Sequence, residues 1–484
     1  MNYKMMGRFI AQILAIEAAF MIPALLISAF GGEKAAAMGF LYSMMVIVAV
    51  AALLWLLCRG AKKGFYAKEG LTCTGISWAV MSLLGCLPFV ISGEIPNYID
   101  ALFEMVSGFT TTGSSVVPAV EDLSKGILYW RSFSNWVGGM GVLVFLLAVV
   151  PVSEQKGGFT MHLLRAESPG PNVGKLVPRM KQTAMILYVI YILLTVIDFI
   201  FLLFGKMPVF DALCTALSTA GTGGFGIKND GFASFSPYIQ NVTTVFMMLF
   251  GVNFSCYYLL LIKQVKSVIR DEELRTYLAV ILGAIVLITL NLRSVYDTLG
   301  ETIRHAAFQV GTVMSTTGFA STDFDLWPTF SKTIMLCLMF VGACAGSTAG
   351  GFKIGRLLLV IKILGRNIRQ ILHPNRVLVV RNNDDVVDEK VLQNTNGYLA
   401  AYAIILVVSL ALVSIDGFSV ETNVSAVISC FNNIGPGFDV VGPMCNFASY
   451  SYFSKLVLIF DMLAGRLEIF PILVLLSGST WRNK

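Results

Sequence analysis

Apolar residues gather into ten runs of membrane length along a chain of 484 residues. The runs cover 9–30, 36–58, 71–92, 127–150, 183–204, 239–262, 276–292, 331–363, 398–415 and 452–477. A helix needs roughly 20 apolar residues to cross about 30 Å of hydrocarbon, so each run predicts a span. An even number of spans puts both termini on one side. The run 331–363 is overlong and broken by glycines. Four semi-polar stretches, following residues 92, 204, 292 and 415, each lie between two spans. They are too short and too rich in Thr, Ser and Gly to cross, so they predict loops that dip in and return.

Those four stretches repeat one another. They read DALFEMVSGFTTTGSS over 100–115, DALCTALSTAGTGGFG over 211–226, HAAFQVGTVMSTTGFA over 305–320 and the more divergent TNVSAVISCFNNIGPG over 422–437. Aligned without gaps, column fourteen is always glycine (Gly113, Gly224, Gly318, Gly435). Column eight is always a small hydroxyl residue (Ser107, Ser218, Thr312, Ser429). The predicted architecture is an all-α polytopic membrane protein. An N-terminal helix pair (1–70) precedes four pseudo-symmetric helix–pore-loop–helix units around one pore, at 71–152, 153–264, 265–392 and 393–484. The third unit has a broken second helix.

Composition agrees with the pattern. The chain is 56% hydrophobic and 13% charged, with a mean hydropathy of +0.75, against about 45–50% apolar and about 25% charged for a soluble domain. A cytosolic enzyme, a disordered chain and a nucleic-acid binder are excluded. Nine scattered cysteines show no CxxC or Cys/His spacing and predict buried free thiols. The first eight residues are short and lead into a run of full span length, so no cleavable leader is expected. Charge placement adds orientation. With the N-terminus inside, the inner segments hold twenty-five Lys and Arg and the outer ones nine. By the positive-inside rule both termini are cytoplasmic and the four loops enter from outside.

Each repeat has an apolar front half of about three helical turns followed by a Thr/Gly segment. Non-helical backbone at membrane depth is tolerated only inside protein or along a water-filled cavity. Four such segments around one axis would turn carbonyls inward in place of a cation's hydration shell, as in the potassium-channel sequence TVGYG. The short helices would aim their partially negative C-termini at that axis. Against TVGYG the loops read Thr111-Thr112-Gly113-Ser114-Ser115, Thr222-Gly223-Gly224-Phe225-Gly226, Thr316-Thr317-Gly318-Phe319-Ala320 and Asn433-Ile434-Gly435-Pro436-Gly437. Only the central glycine is common to all, and it permits φ > 0 there. Ser115 and Ala320 replace the closing glycine, which predicts fewer ion sites and looser selectivity than in a homotetrameric channel.

With these repeats and glycines, the chain resembles the TrkH/KtrB superfamily of bacterial potassium uptake proteins over essentially its whole length. The extra N-terminal pair points to the TrkH branch. The resemblance implies a K⁺ conduit in the bacterial inner membrane with no organic cofactor in this chain. It implies a homodimer with one pore per subunit. It also implies a TrkA-like cytosolic ring of RCK domains that binds NAD(H), ATP or ADP. Relatives with serine at the first-loop glycine tend to admit Na⁺, so Gly113 favours K⁺. A sodium- or proton-coupled potassium symporter is the alternative. A pump-associated potassium subunit shares the repeated pore but fits the N-terminal pair less well. An intramembrane enzyme lacks support, since no HExxH or GxGD pattern is present.

Two features lie below the loops. The stretch 342–351, GACAGSTAGG, has poor helix propensity and reads either as a flexible intramembrane loop or as a small-residue packing face. The resemblance makes it a gate, with Gly346, Ser347, Thr348, Ala349, Gly350 and the adjoining Lys353. Arg466 lies inside a span, where a charge is costly and functional by default. It could pair with Asp461 or Glu468, and the resemblance makes it a pore-lining barrier to cations. The GTGGFG of 221–226 matches a dinucleotide fingerprint in letters only, since it opens no Rossmann helix. His305 stands at the expected start of the third short helix as a polar cap. Glu104 is either a satisfied buried acid or a source of negative potential. The mixed-charge stretch 366–390 is a solvated linker or a docking surface for a cytosolic regulator.

Overall fold

The computed structural model describes residues 1–60, 67–141, 180–383 and 385–481. The end of the run 127–150, most of the basic stretch 156–181 and His162 lie outside the described residues. Among the described residues, six helices are long and apolar enough to cross a membrane: Tyr3–Phe30, Lys34–Leu57, Lys68–Ser92, Ala184–Phe204, Glu272–Asn291 and Glu389–Asp416. They match the first, second, third, fifth, seventh and ninth runs.

The other four runs, each following a loop, do not form single span-length helices among the described residues. The helix Lys125–Gly139 stops at Met140 and Gly141, the latter at φ 73°. Pro237–Phe250 and Phe254–Leu261 meet at 90°. The turn between them is held by Asn253, whose side chain accepts the Ser255 N–H and caps the second helix. Thr329–Val341 and Ile354–Leu372 are separated by the glycine-rich stretch. Tyr452–Arg466 ends before Glu468 (φ 57°) and Ile469 (φ 64°), and Phe470–Leu476 restarts with proline in its first turn. One break was expected; the three fully described helices of this class all break.

Four short helices, Tyr98–Phe109, Val209–Gly221, Leu299–Met314 and Val420–Phe431, form the centre. They are enclosed on every side: each residue from Ala101 to Phe109 is buried. Their polar side chains, Glu104, Gln309 and Asn423 among them, are therefore buried inside protein as well. Each carries an acid in its first turn, Asp100, Asp211, Glu301 and Glu421, opposite in sign to the helix N-terminus. The third begins at Leu299, capped by the Thr298 hydroxyl. His305 is therefore not its cap: it stacks on Tyr296 and bonds Ser321 at 2.9 Å.

Glycine lets the descending helices close onto this centre. A Cβ at Gly138 would lie 1.9 Å from the Phe109 carbonyl, and one at Gly465 1.9 Å from the Phe431 carbonyl. These are the same column of the first and fourth repeats. The N-terminal pair packs on the first unit, where the Glu33 carboxylate accepts the Lys125 and Gly126 N–H groups at 2.8 and 3.3 Å. A small antiparallel hairpin, Arg381–Asn382 with Asp385–Val386, lies in the mixed-charge stretch.

Candidate functional site

Each short helix ends in the same way. The column-twelve N–H of Thr111, Thr222, Thr316 and Asn433 bonds back to the carbonyl of Gly108, Thr219, Val313 and Cys430 at 3.0–3.3 Å. The column-thirteen N–H of Thr112, Gly223, Thr317 and Ile434 bonds the column-eight carbonyl of Ser107, Ser218, Thr312 and Ser429 at 2.8–3.0 Å. This is a Schellman closure, with column twelve left-handed at φ 56°, 53°, 54° and 54°. Column fourteen is left-handed again, at φ 83°, 70°, 89° and 110°. Column thirteen between them is not left-handed. Repetition of column eight foreshadowed this closure through its carbonyl; the buried hydroxyls of Ser107, Thr312 and Ser429 have no hydrogen-bond partner among the described residues. The positive φ of column twelve was not legible, because threonine and asparagine rather than glycine stand there.

The four loops meet in a closed ring. A Cβ on Gly113 would lie 2.5 Å from the Gly223 carbonyl oxygen, on Gly224 2.0 Å from that of Thr317, on Gly318 2.2 Å from that of Ile434, and on Gly435 2.9 Å from that of Thr112. Column fourteen of each loop thus abuts column thirteen of the next, and the fourth returns to the first. The eight expected residues of columns thirteen and fourteen are brought together in this ring, and column twelve adjoins them in each loop. Outside the ring a cavity of about 110 Å³ is lined by Gly113, Gly224, Gly318 and Gly435. Beyond it, the Thr422 and Ser419 hydroxyls donate to Asp439 and hold its carboxyl below the usual range.

On the other face of the ring lies the stretch between Val341 and Ile354. The Gly350 N–H donates to the Thr316 hydroxyl at 2.7 Å, joining this stretch to column twelve of the third loop. Thr348 donates to the Phe250 carbonyl at 3.2 Å, Ser347 to the Cys344 carbonyl at 2.6 Å, and the Lys353 ammonium to the Ala349 carbonyl. Gly346 offers its carbonyl to the Phe254 N–H at 3.0 Å. The Glu273 carboxylate accepts the N–H of Ala345 at 2.7 Å and of Gly355 at 3.0 Å, holding both ends of the stretch. Glu273 was missed in the sequence; an acid at the start of an apolar span is the only signal it leaves.

Arg466 joins its own unit to two others. Its guanidinium donates to the Thr348 carbonyl at 2.7 Å, the Gly139 carbonyl at 2.8 Å, the Gly138 carbonyl and the Thr111 hydroxyl at 3.1 Å. The two acids considered for it are engaged elsewhere: Glu468 pairs with Arg356, and Asp461 accepts from Ser409 at 2.6 Å. Asn433 donates to the Met462 carbonyl and the Thr112 hydroxyl, both at 3.0 Å. Glu104 is a satisfied buried acid, paired with Arg131 at 2.6 Å. In the stretch 366–390, Arg366 pairs with Glu389 at 2.8 Å.

The sequence pattern of the TrkH family, described as cation transport protein, matches residues 36–483. The chain is 35% identical over 491 aligned residues to the Trk system potassium uptake protein TrkH of Salmonella typhimurium, covering 100% of both. It is 31% identical to the Trk system potassium uptake protein TrkG of Escherichia coli, over 96% of this chain and 95% of that one. Its fold matches the crystal structure of the potassium transporter TrkH from Vibrio parahaemolyticus with a TM-score of 0.88, at 30% identity and 100% coverage of each chain. With its fourfold repeat, closed ring and full-length likeness to these transporters, the chain belongs to the TrkH family of cation transport proteins.

Proposed function

We propose that this protein takes up potassium across the bacterial inner membrane through the four-loop ring, with K⁺ as the cargo. The closed ring carries the proposal: four column-fourteen glycines each abut the column-thirteen carbonyl of the next loop. Such spacing leaves no room for a side chain at these four positions. Carbonyls of columns twelve to fourteen replace the hydration shell, and the C-termini of four short helices add negative potential on the same axis. Residues Thr111 to Gly113, Thr222 to Gly224, Thr316 to Gly318 and Asn433 to Gly435 are the filter.

The gate lies directly beneath. Gly346, Ser347, Thr348, Ala349 and Gly350 cross under the ring, with Lys353 at their end, and Arg466 ties them to the first unit. A guanidinium on the path raises the barrier to cations. Opening requires the Arg466–Thr348 and Gly350–Thr316 bonds to part. In this proposal the protein is a homodimer with cytoplasmic termini, and a TrkA-like RCK ring that binds NAD(H), ATP or ADP drives that step.

Rubidium uptake by the purified protein in liposomes tests the function. Uptake is expected, and Gly113→Ser is expected to raise the share of Na⁺ taken up. Absence of flux, or flux indifferent to that change, would sink the filter assignment. Uptake that requires a Na⁺ or proton gradient would favour the coupled symporter.

A further inference from the structure

Behind the ring, at the junction of the first and second loops, lies a buried ion pair that the conduction path does not use. Arg131 is 2% exposed and Glu104 0%. The Arg131 Nε and Nη2 groups donate to Glu104 Oε1 at 2.8 and 2.6 Å, and Nη2 also reaches the Ser115 hydroxyl at 3.3 Å. The Nη1 group reaches the Gly226 carbonyl at 3.5 Å, and the guanidinium lies 4.3 Å over the Phe225 ring. Glu104 Oε2 accepts the Val116 N–H at 2.9 Å, and the Ser115 hydroxyl donates to the same carboxylate at 3.0 Å. One guanidinium thus spans column sixteen of two neighbouring loops, Ser115 and Gly226.

The tie is local to this junction. Glu104 occupies column five, where the other repeats carry Thr215, Gln309 and Ala426. Gln309 holds its own loop with a neutral bond to the Thr322 carbonyl at 3.1 Å. Of the two loops without a closing glycine, the third is braced by the Phe232 N–H on the Ala320 carbonyl at 2.7 Å. The first has the equivalent bond, the Phe447 N–H on the Ser115 carbonyl at 2.8 Å, and carries the ion pair in addition. We propose that the Arg131–Glu104 pair is a positioning element that holds the outer end of the first and second loops apart and so sets how sharply the ring discriminates K⁺ from Na⁺. A ring that relaxes inward fits the smaller ion better, and a charge-assisted network buried at low dielectric resists that relaxation. The Glu104 carboxylate also cancels a positive charge that borders the outer cavity.

The proposal rests on the potassium-conduit function above, and its test separates the two. Full-length protein in liposomes is given Rb⁺ and Na⁺ together, and the uptake ratio is read. Removing one partner alone would strand a buried charge, so the main variant is the neutral double Glu104→Gln/Arg131→Gln, with Arg131→Lys beside it. The Rb⁺:Na⁺ ratio is expected to fall by about fivefold or more in the double and by less in Arg131→Lys. A monodisperse double variant with the ratio of the unmodified protein would overturn the proposal. So would one that carries neither ion, since the pair would then serve conduction itself. If the double variant aggregates, Arg131→Lys decides, and an unchanged ratio there rejects the role. A Gly113→Ser effect without any effect of the pair variants removes this proposal alone. An unmodified protein that carries no Rb⁺ removes the conduit as well.

Discussion

Column twelve holds three threonines and an asparagine in a left-handed conformation that costs an ordinary L-residue about 1–2 kcal/mol. Glycine would avoid that cost, but the side chains are in use: Thr316 accepts the Gly350 N–H, Thr111 accepts from Arg466, and Asn433 donates to Met462. Thr316→Gly relieves the backbone while deleting one bond of about 1 kcal/mol. Its melting temperature is therefore expected to stay near that of the unmodified protein, while Rb⁺ leak through the purified chain rises. A silent leak assay would detach Thr316 from the gate. The loop glycines differ sharply from one another. Gly224 sits at φ 70° with the Thr317 carbonyl 2.0 Å from a Cβ, whereas the nearest atom to a Cβ on Gly226 is 3.5 Å away. Gly224→Ala should abolish uptake and cost about 1–3 kcal/mol of stability. Gly226→Ala should be tolerated, and thermal melting together with Rb⁺ uptake distinguishes the two.

The helix that follows each loop is the element the sequence describes least well. The break in 331–363 was legible because ten small residues stand in a row. The 90° bend after Phe250 leaves Gly251 and Asn253 as its local sequence signals, and the break at Glu468 and Ile469 has no glycine at those two positions. Hydropathy averaged over a span conceals both, since the flanking half-helices are as apolar as a continuous one. The stretch between Val341 and Ile354 is likewise held by a residue distant in sequence, Glu273, which supplies one carboxylate to two N–H groups. Glu273→Ala leaves both donors without their acceptor, at about 1–3 kcal/mol each when buried. A folded variant with raised partner-independent Rb⁺ leak is the expected outcome. An unaltered leak would mean that the stretch keeps its position without that anchor.

At the scale of the whole molecule, no unit can build the ring alone, because every column-fourteen glycine is seated against a carbonyl of a different unit. Arg466 extends the same logic below the ring, joining its own unit to the first and third. Orientation is also a property of the assembled protein. Cys445 is exposed and lines the cavity outside the ring, so with cytoplasmic termini it should react with a membrane-impermeant maleimide added to spheroplasts. Labelling only after the membrane is permeabilised would invert the topology.

The chain by itself determined the membrane class, the four repeats, the glycine column and the position of Arg466. Each is written in composition or in local repetition, and burial in a membrane leaves few other uses for such residues. Tertiary structure decided the rest: the second left-handed column, the order in which loops touch, the carbonyl partners of Arg466, and the ties made by Glu273 and by Arg131 with Glu104. These depend on groups far apart in sequence. A buried donor or acceptor takes whatever partner the packing brings within about 3 Å, and nothing in the local pattern of residues encodes that partner.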